Sequence, residues 1–521
     1  MDWSSGGVRL LTEAVPWPES GRARRAGVSS FGVSGTNAHI ILEQAPPEEN
    51  DDPADASSGS FPWMVSAKSE QALRAQAAQL RAYLAARPEV GLADVGYALA
   101  TGRAAFDHRA VLLGPDREAF LHGLRALEAD EEHENLVRGV ATGAGKLAFV
   151  CSGQGTQRPR MGYELYHAFP LFAAAMDEAC AYLDPHLERP LRDVVFAEPD
   201  SDSDTAQLLH QTCYAQPALF ALQVALHRLV TEQYGLTPHY YAGHSLGEIT
   251  AAHFAGILTL PDAARLITTR ARLMQALPAT GAMTTLQADP EELHEHLTPL
   301  EGRVSLAAVN APGSVVISGD RHDVDATAEI FRTMGRKATP LKVSGAFHSH
   351  HIDPLLDELH ATAETLTYHP PHTPLVTTNP TDQDPTTPDY WVRQTRETVH
   401  YAHTTQQLHT HGVTTYLELG PDTTLTTLTH HNLPHHTPNA HALLHPDQPE
   451  THTTHTALAH LHTHGHPTTW HHHHTPNPTH HPNLPTYPFQ HHHYWLNTTT
   501  ATSDMSAAGL EPARHPCWAR R

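Results

Sequence analysis

The stretch that most constrains this chain is Gly243-His244-Ser245-Leu246-Gly247-Glu248, a G-x-S-x-G pattern between the β-prone His239-Tyr240-Tyr241-Ala242 and an apolar, helix-like run over residues 249–255. Small residues on both sides of a serine let the chain turn sharply from strand to helix and lift the hydroxyl out of the sheet at a helix N-terminus. That makes Ser245 the candidate nucleophile. The amide of Leu246, free at that terminus, can donate to a developing oxyanion. A tight βα turn carrying an incidental serine is the alternative reading of the same residues.

A chain of 521 residues is too long for one ordinary domain and suggests about three. With 33 basic against 56 acidic residues its formal charge is -23, which argues against nucleic acid or an anionic membrane surface as a partner. The 46 histidines are counted as neutral, so the charge becomes less negative as pH falls through about 6.5. Cys151, Cys180, Cys213 and Cys517 show no C-x-x-C spacing, hence neither a disulfide framework nor a zinc knuckle, and they fit a reducing cytoplasm. The N-terminal residues lack a signal-peptide pattern and no apolar run reaches about 18 residues, so a soluble protein is expected.

Residues 1–45 end in Ser29-Ser30-Phe31-Gly32-Val33-Ser34-Gly35 and an apolar stretch, which read as a loop feeding a strand too short to hold a core alone. Residues 46–60, acidic and rich in Pro, Ser and Gly, read as surface linker. An α+β unit follows, with strands predicted at 64–67 and 108–113, helices at 70–84, 92–101 and 117–127, and Ser66 as an N-cap. The strand predicted at 146–151 runs into Ser152-Gly153-Gln154-Gly155-Thr156-Gln157, a glycine-bracketed loop that suits an amide donor at Gln154 and lacks the Lys-Ser/Thr of a phosphate loop. Over 281–343 the order strand, helix, strand, strand, helix, strand predicts a ferredoxin-like subdomain inserted into a larger α/β unit. Folded core is expected to about residue 445, then an extended His/Thr/Pro-rich wrap over 451–481, with aromatic residues at 484–496 packing on a neighbour. His471-His472-His473-His474 offers metal donors, but solvated repeats are the simpler reading and no metal site is expected.

The serine elbow, Gly153-Gln154-Gly155-Thr156-Gln157, Arg270 and Ala346-Phe347-His348-Ser349, in that spaced arrangement, resemble an acyltransferase domain of a modular type I polyketide synthase, kin to the malonyl-CoA:acyl-carrier-protein transacylases. The resemblance implies a hydrolase-like α/β core with a parallel sheet. It divides the chain into a β-ketoacyl synthase remnant (1–45), an α+β linker (46–145), the acyltransferase domain (146–445), a following linker (446–497) and a patternless tail (498–521). His39 in the remnant is not one of that family's catalytic histidines.

By the same resemblance Ser245 is the acyl-accepting nucleophile, His348 its general base, and the amides of Gln154 and Leu246 the oxyanion hole. Arg270 would bind the extender unit's free carboxylate, a pairing that suits a planar guanidinium which stays charged when desolvated. Gln216, Asn310 and Phe347 would contact substrate, and Gln394 would orient the histidine. His350 and His351 compete with His348 as the base. Phe347 before the histidine and Leu246 after the nucleophile go with malonyl rather than methylmalonyl units. The expected substrate is a coenzyme A thioester with no bound cofactor. The expected partners are an acyl carrier protein bearing phosphopantetheine and neighbouring synthase domains, in a cytoplasmic enzyme of secondary metabolite synthesis. A serine hydrolase or thioesterase and an inert scaffold fragment are the rival readings. Arg158 and Arg160 replace the family's usual Trp and Gly, and two arginines there could perturb the pocket.

Overall fold

The computed structural model describes residues 11–18, 21–33, 35–45, 61–198, 204–343, 345–379, 384–471 and 482–492. The linker stretch 46–60, His472 to His474, the aromatic end Tyr494-Trp495-Leu496 and the tail 498–521 lie outside the described residues. The chain divides into one unit of residues 1–56 with 475–481 and a second of residues 57–474 with 482–521.

In the first unit Arg25–Phe31 pairs antiparallel with Asn37–Glu43, so Ser29 to Phe31 form a strand where a loop is expected from sequence. Val28, Ile40, Ile41 and Leu42 are exposed, because a two-stranded ribbon offers no second layer to bury them.

The second unit begins with an antiparallel sheet of Phe61–Ala67, His108–Gly114 and Leu136–Val140. The third of these strands is not evident in the sequence, since Arg138 and Gly139 interrupt its apolar alternation. Helices Glu70–Ala86, Leu92–Thr101 and Arg117–Ala129 complete this layer, with Trp63 stacked on Phe120 at 3.9 Å. The N-cap of the first helix is Ser69, whose hydroxyl accepts from the amide of Ala72, rather than Ser66. A cap must directly precede the first turn to reach its free amides. Ser66 instead donates to the carbonyl of Ala104.

The larger part of this unit is built on a parallel sheet ordered Asn439–Ala442, Val413–Leu419, Lys146–Cys151, Tyr240–Gly243. Parallel neighbours require long crossovers, and the helices that supply them bury both faces of the sheet. Helix Thr212–Arg228 is buried almost all round, which explains its weak amphipathic pattern. Inserted after the crossover helix Leu260–Gln275 is an antiparallel sheet ordered Ala338–Pro340, Gly281–Leu286, Ser314–Asp320, Val304–Ala311, with helices Pro290–Leu297 and Arg321–Thr333. This is the ferredoxin-like order that the sequence pattern predicts. Its last strand ends at Pro340, short of the expected Val343, although the amide of Leu341 still donates to the carbonyl of Met283 at 2.9 Å.

Helix Glu450–Thr463 occupies the stretch read from sequence as an extended wrap. Its Ala457, Leu458 and Leu461 are buried, and it packs on His108–Gly114 and Leu136–Val140. Threonine hydroxyls of the helix are satisfied from the preceding turn, as Thr456 donates to the carbonyl of His452 at 2.9 Å. The His/Thr bias therefore hides a helix period carried by few apolar residues. The later segment packs on this chain's own first layer. Leu484 is buried there, Arg103 donates to the carbonyl of Pro485 at 2.8 Å, and the amide of Lys68 donates to the Tyr487 hydroxyl at 3.0 Å.

Candidate active site

The strand Tyr240–Gly243 ends two residues before the helix Leu246–Ala255, and the turn between them forces Ser245 to φ 53°, ψ -111°. That backbone is rare for a residue with a side chain and persists only where surroundings dictate it. The flanking glycines are needed for space. A Cβ on Gly243 would lie 2.1 Å from the carbonyl carbon of Gly247, and one on Gly247 would lie 2.2 Å from the carbonyl oxygen of Cys151.

Ser245 Oγ is 2.8 Å from Nε2 of His348. Nδ1 of His348 donates to the backbone carbonyl of Glu397 at 2.8 Å, which fixes the tautomer and leaves Nε2 to accept the serine proton. Burial, followed by the charge of Arg270, lowers the pKa of His348 to about 3, so the imidazole is neutral at physiological pH. Glu397 follows the helix Pro388–Arg396, where carbonyls at the C-terminal end have no helical partner.

The structure therefore corrects the role expected for Gln394. Its Nε2 donates to the carbonyl of Ser245 at 2.8 Å and to Oε2 of Glu248 at 3.3 Å, one turn away from the atom that orients the histidine. Gln394 braces the elbow. Glu248 is fully buried, accepts also from Tyr390 and from the amide and hydroxyl of Thr378, and has its pKa raised by burial. Neither Glu397 nor Glu248 was read from sequence as a site residue. A backbone carbonyl leaves no sequence signal, whereas Glu248 closes the elbow motif itself.

Arg270 is carried by Leu260–Gln275 and is 2% exposed. Its Nη2 donates to Ser245 Oγ at 3.0 Å, Nη1 to Oε1 of Gln216 at 2.6 Å and Nε to Thr395 Oγ1 at 3.3 Å. Among the described residues no carboxylate lies within ion-pair distance of it. Burial lowers its pKa to about 10, which leaves it charged at neutral pH. Gln216 donates in turn to Oε1 of Gln154 at 3.2 Å, and Nε2 of Gln154 to Thr212 Oγ1 at 3.0 Å, so the glycine loop is tied to the arginine.

The loop also abuts the elbow, since a Cβ on Gly153 would lie 2.8 Å from the carbonyl oxygen of His244. The amides of Gln154 and Leu246 have no acceptor among the described residues. Asn310 accepts from Nε2 of His244 at 2.9 Å and lines the same cavity. That cavity, about 300 Å³, lies between the parallel-sheet core and the inserted subdomain, with Ser245, Arg270, Met274, Val316, Phe347 and His348 in its wall. His350 and His351 turn away from Ser245 toward Asp320. Arg158 and Arg160 pair with Glu450 and Glu198 instead of lining the cavity. Arg160 has φ 62°, the backbone that makes glycine usual there.

A family model described as acyl transferase domain matches residues 148–467, and one described as ketoacyl-synthetase C-terminal extension matches residues 1–113. The chain is 44% identical over 528 aligned residues to the spectinabilin polyketide synthase system protein NorB of Streptomyces orinoci, covering 99% of this chain and 24% of that protein. It spans a quarter or less of the length of the curated relatives it matches. Among solved structures, the acyltransferase domain from the second module of the salinomycin polyketide synthase is 42% identical with a TM-score of 0.65, covering 78% of this chain and 94% of that one. The malonyl-CoA:acyl carrier protein transacylase (FabD) of Xanthomonas oryzae pv. oryzae is 32% identical with a TM-score of 0.53, covering 58% and 95%.

Proposed function

Since this chain belongs to the acyl transferase domain family of modular polyketide synthases, we propose that it moves a malonyl unit from coenzyme A to the phosphopantetheine thiol of an acyl carrier protein through an ester on Ser245. The observation that carries the substrate is Arg270, a buried cation without a carboxylate partner among the described residues, hydrogen-bonded to the proposed nucleophile. A free carboxylate on the acyl group supplies the missing countercharge and pairs bidentately with the guanidinium. Phe347 lines the cavity beside His348, and its bulky ring would leave less room for a methyl branch. The transacylase from Xanthomonas, named for malonyl-CoA and acyl carrier protein, supports the same reading.

In the first half-reaction the Ser245 proton passes to Nε2 of His348 as Oγ attacks the thioester carbonyl. The amides of Gln154 and Leu246 donate to the tetrahedral oxyanion. Collapse expels coenzyme A thiolate, which takes the proton from His348 and leaves a malonyl ester. The carrier thiol then enters along the same path, giving up its proton to His348, and Ser245 regains a proton when the thioester forms. The carbonyl of Glu397 keeps the imidazole facing the serine in both halves.

Intact mass after incubation with malonyl-, methylmalonyl- and acetyl-CoA tests the reading. A malonyl adduct on the native chain, absent from a folded Ser245→Ala variant, is expected. Acylation of that variant, or preferential acetyl loading of the native chain, would refute it.

A further inference from the structure

Asp320 ends the strand Ser314–Asp320 of the inserted subdomain, and His350 and His351 open the turn His350–Leu355 that returns the chain to the parallel-sheet core. Nε2 of His351 lies 2.8 Å and Nε2 of His350 3.3 Å from the same atom, Oδ1 of Asp320. The two rings converge with centroids 4.5 Å apart, and one donor atom from each of the three residues falls within a span of 4.8 Å. Adjacent side chains usually diverge, but this tight turn aims both imidazoles at one carboxylate.

Ligand atoms about 2.0 to 2.1 Å from a tetrahedral zinc ion are about 3.3 Å from one another. The spacing of His350 to Asp320 already meets that geometry, and His351 needs to move outward by about half an ångström. Two imidazoles and one carboxylate suit a zinc-class ion, whereas magnesium and calcium select oxygen donors. Asp320 is 43% exposed, which leaves an open side for water as the remaining ligand and for entry of the ion.

We propose that Asp320, His350 and His351 form a binding site for a zinc-class divalent cation across the seam between the inserted subdomain and the core. The ligands belong to two walls of the acyl cavity, because Val316 shares the strand of Asp320 and His348 lies two residues before His350. A bound ion fastens those walls together and stabilises the folded chain by mass action.

The test uses the full chain with His471 to His474 and His491 to His493 replaced by alanine, stripped with chelator and titrated with zinc chloride against a chromophoric competitor. One tight equivalent is expected, with a rise of several degrees in the thermal midpoint. Asp320→Asn and His350→Gln should each weaken it at least tenfold. Asp320 makes no side-chain capping bond to the following helix, so its asparagine variant keeps that helix start. Cobalt chloride should give the visible absorption of a tetrahedral site in the parent and lose it in Asp320→Asn. Zinc affinity unchanged in both variants, or absent from the tail-replaced parent, overturns the proposal.

Discussion

Arg270 donates to the hydroxyl of Ser245 at 3.0 Å, so the buried cation touches the oxygen proposed as the nucleophile. In the proposed reaction, the acyl carbonyl at Ser245 and a carboxylate on the same acyl group can thus be held together. Arg270→Ala should suppress malonyl loading by well over tenfold, since losing one partner of a buried charged pair costs about 2 to 5 kcal/mol. Acetyl loading, which uses no such pair, should not fall in parallel. Adduct formation timed by intact mass distinguishes the two, and equal losses for both thioesters would remove this role from Arg270.

Phe347 is 6% exposed and forms part of the cavity wall together with Ser245. Phe347→Ser should shrink the preference for malonyl- over methylmalonyl-CoA, a discrimination worth about 1 to 3 kcal/mol for one methyl in an apolar pocket. Competition between the two esters for Ser245 measures it. A native chain that prefers methylmalonyl-CoA would contradict the substrate assignment itself.

Gln394 holds the carbonyl of Ser245 while the carbonyl of Glu397 holds His348. Gln394→Ala should therefore lower the acylation rate by about tenfold, the loss of one buried hydrogen bond to the Ser245 carbonyl. The pH dependence of acylation should keep its shape, because the base retains its partner. An altered pH profile would show that Gln394 acts through the histidine after all.

The parts of the site that could be read in the sequence are those whose chemistry needs a particular side chain at a particular spacing. Ser245, His348, Arg270 and the Gln154 loop are of that kind, and the structure brings them around one cavity. Glu397 contributes only its main chain, so any residue at that position could do the same. The ferredoxin-like insertion was legible because its strands alternate and its helices keep their period. Helix Glu450–Thr463 was not, because threonine and histidine dominate its sequence and imitate a solvated repeat.

The histidines in and around that helix predict acid lability. Burial, with neighbouring positive groups second, lowers the pKa of His441 to about 2 and those of His460, His462 and His466 to about 4. The fold favours the neutral forms, so their stabilisation is complete above the unfolded value of about 6.5 and is lost as pH falls from there toward 4. Each proton resisted contributes a slope of up to about 1.4 kcal/mol per pH unit. The melting temperature should fall steeply between pH 6.5 and 5, and His466→Gln should lessen that slope. A flat profile over this range would contradict the burial argument.

The carboxylate of Glu450 accepts from Arg158 at 2.8 Å, from the amide of Gly162 at 2.7 Å and from that of Glu164 at 3.1 Å. Exchange of this acyl transferase domain between synthases then has a preferred seam. A graft ending at residue 445 would strip three donors of their acceptor next to the Gln154 loop, whereas one extended past Trp470 carries the acceptor with it. The donor synthase's own helix at this position, rather than the recipient's, should travel with the segment of residues 158–164 whose donors it satisfies.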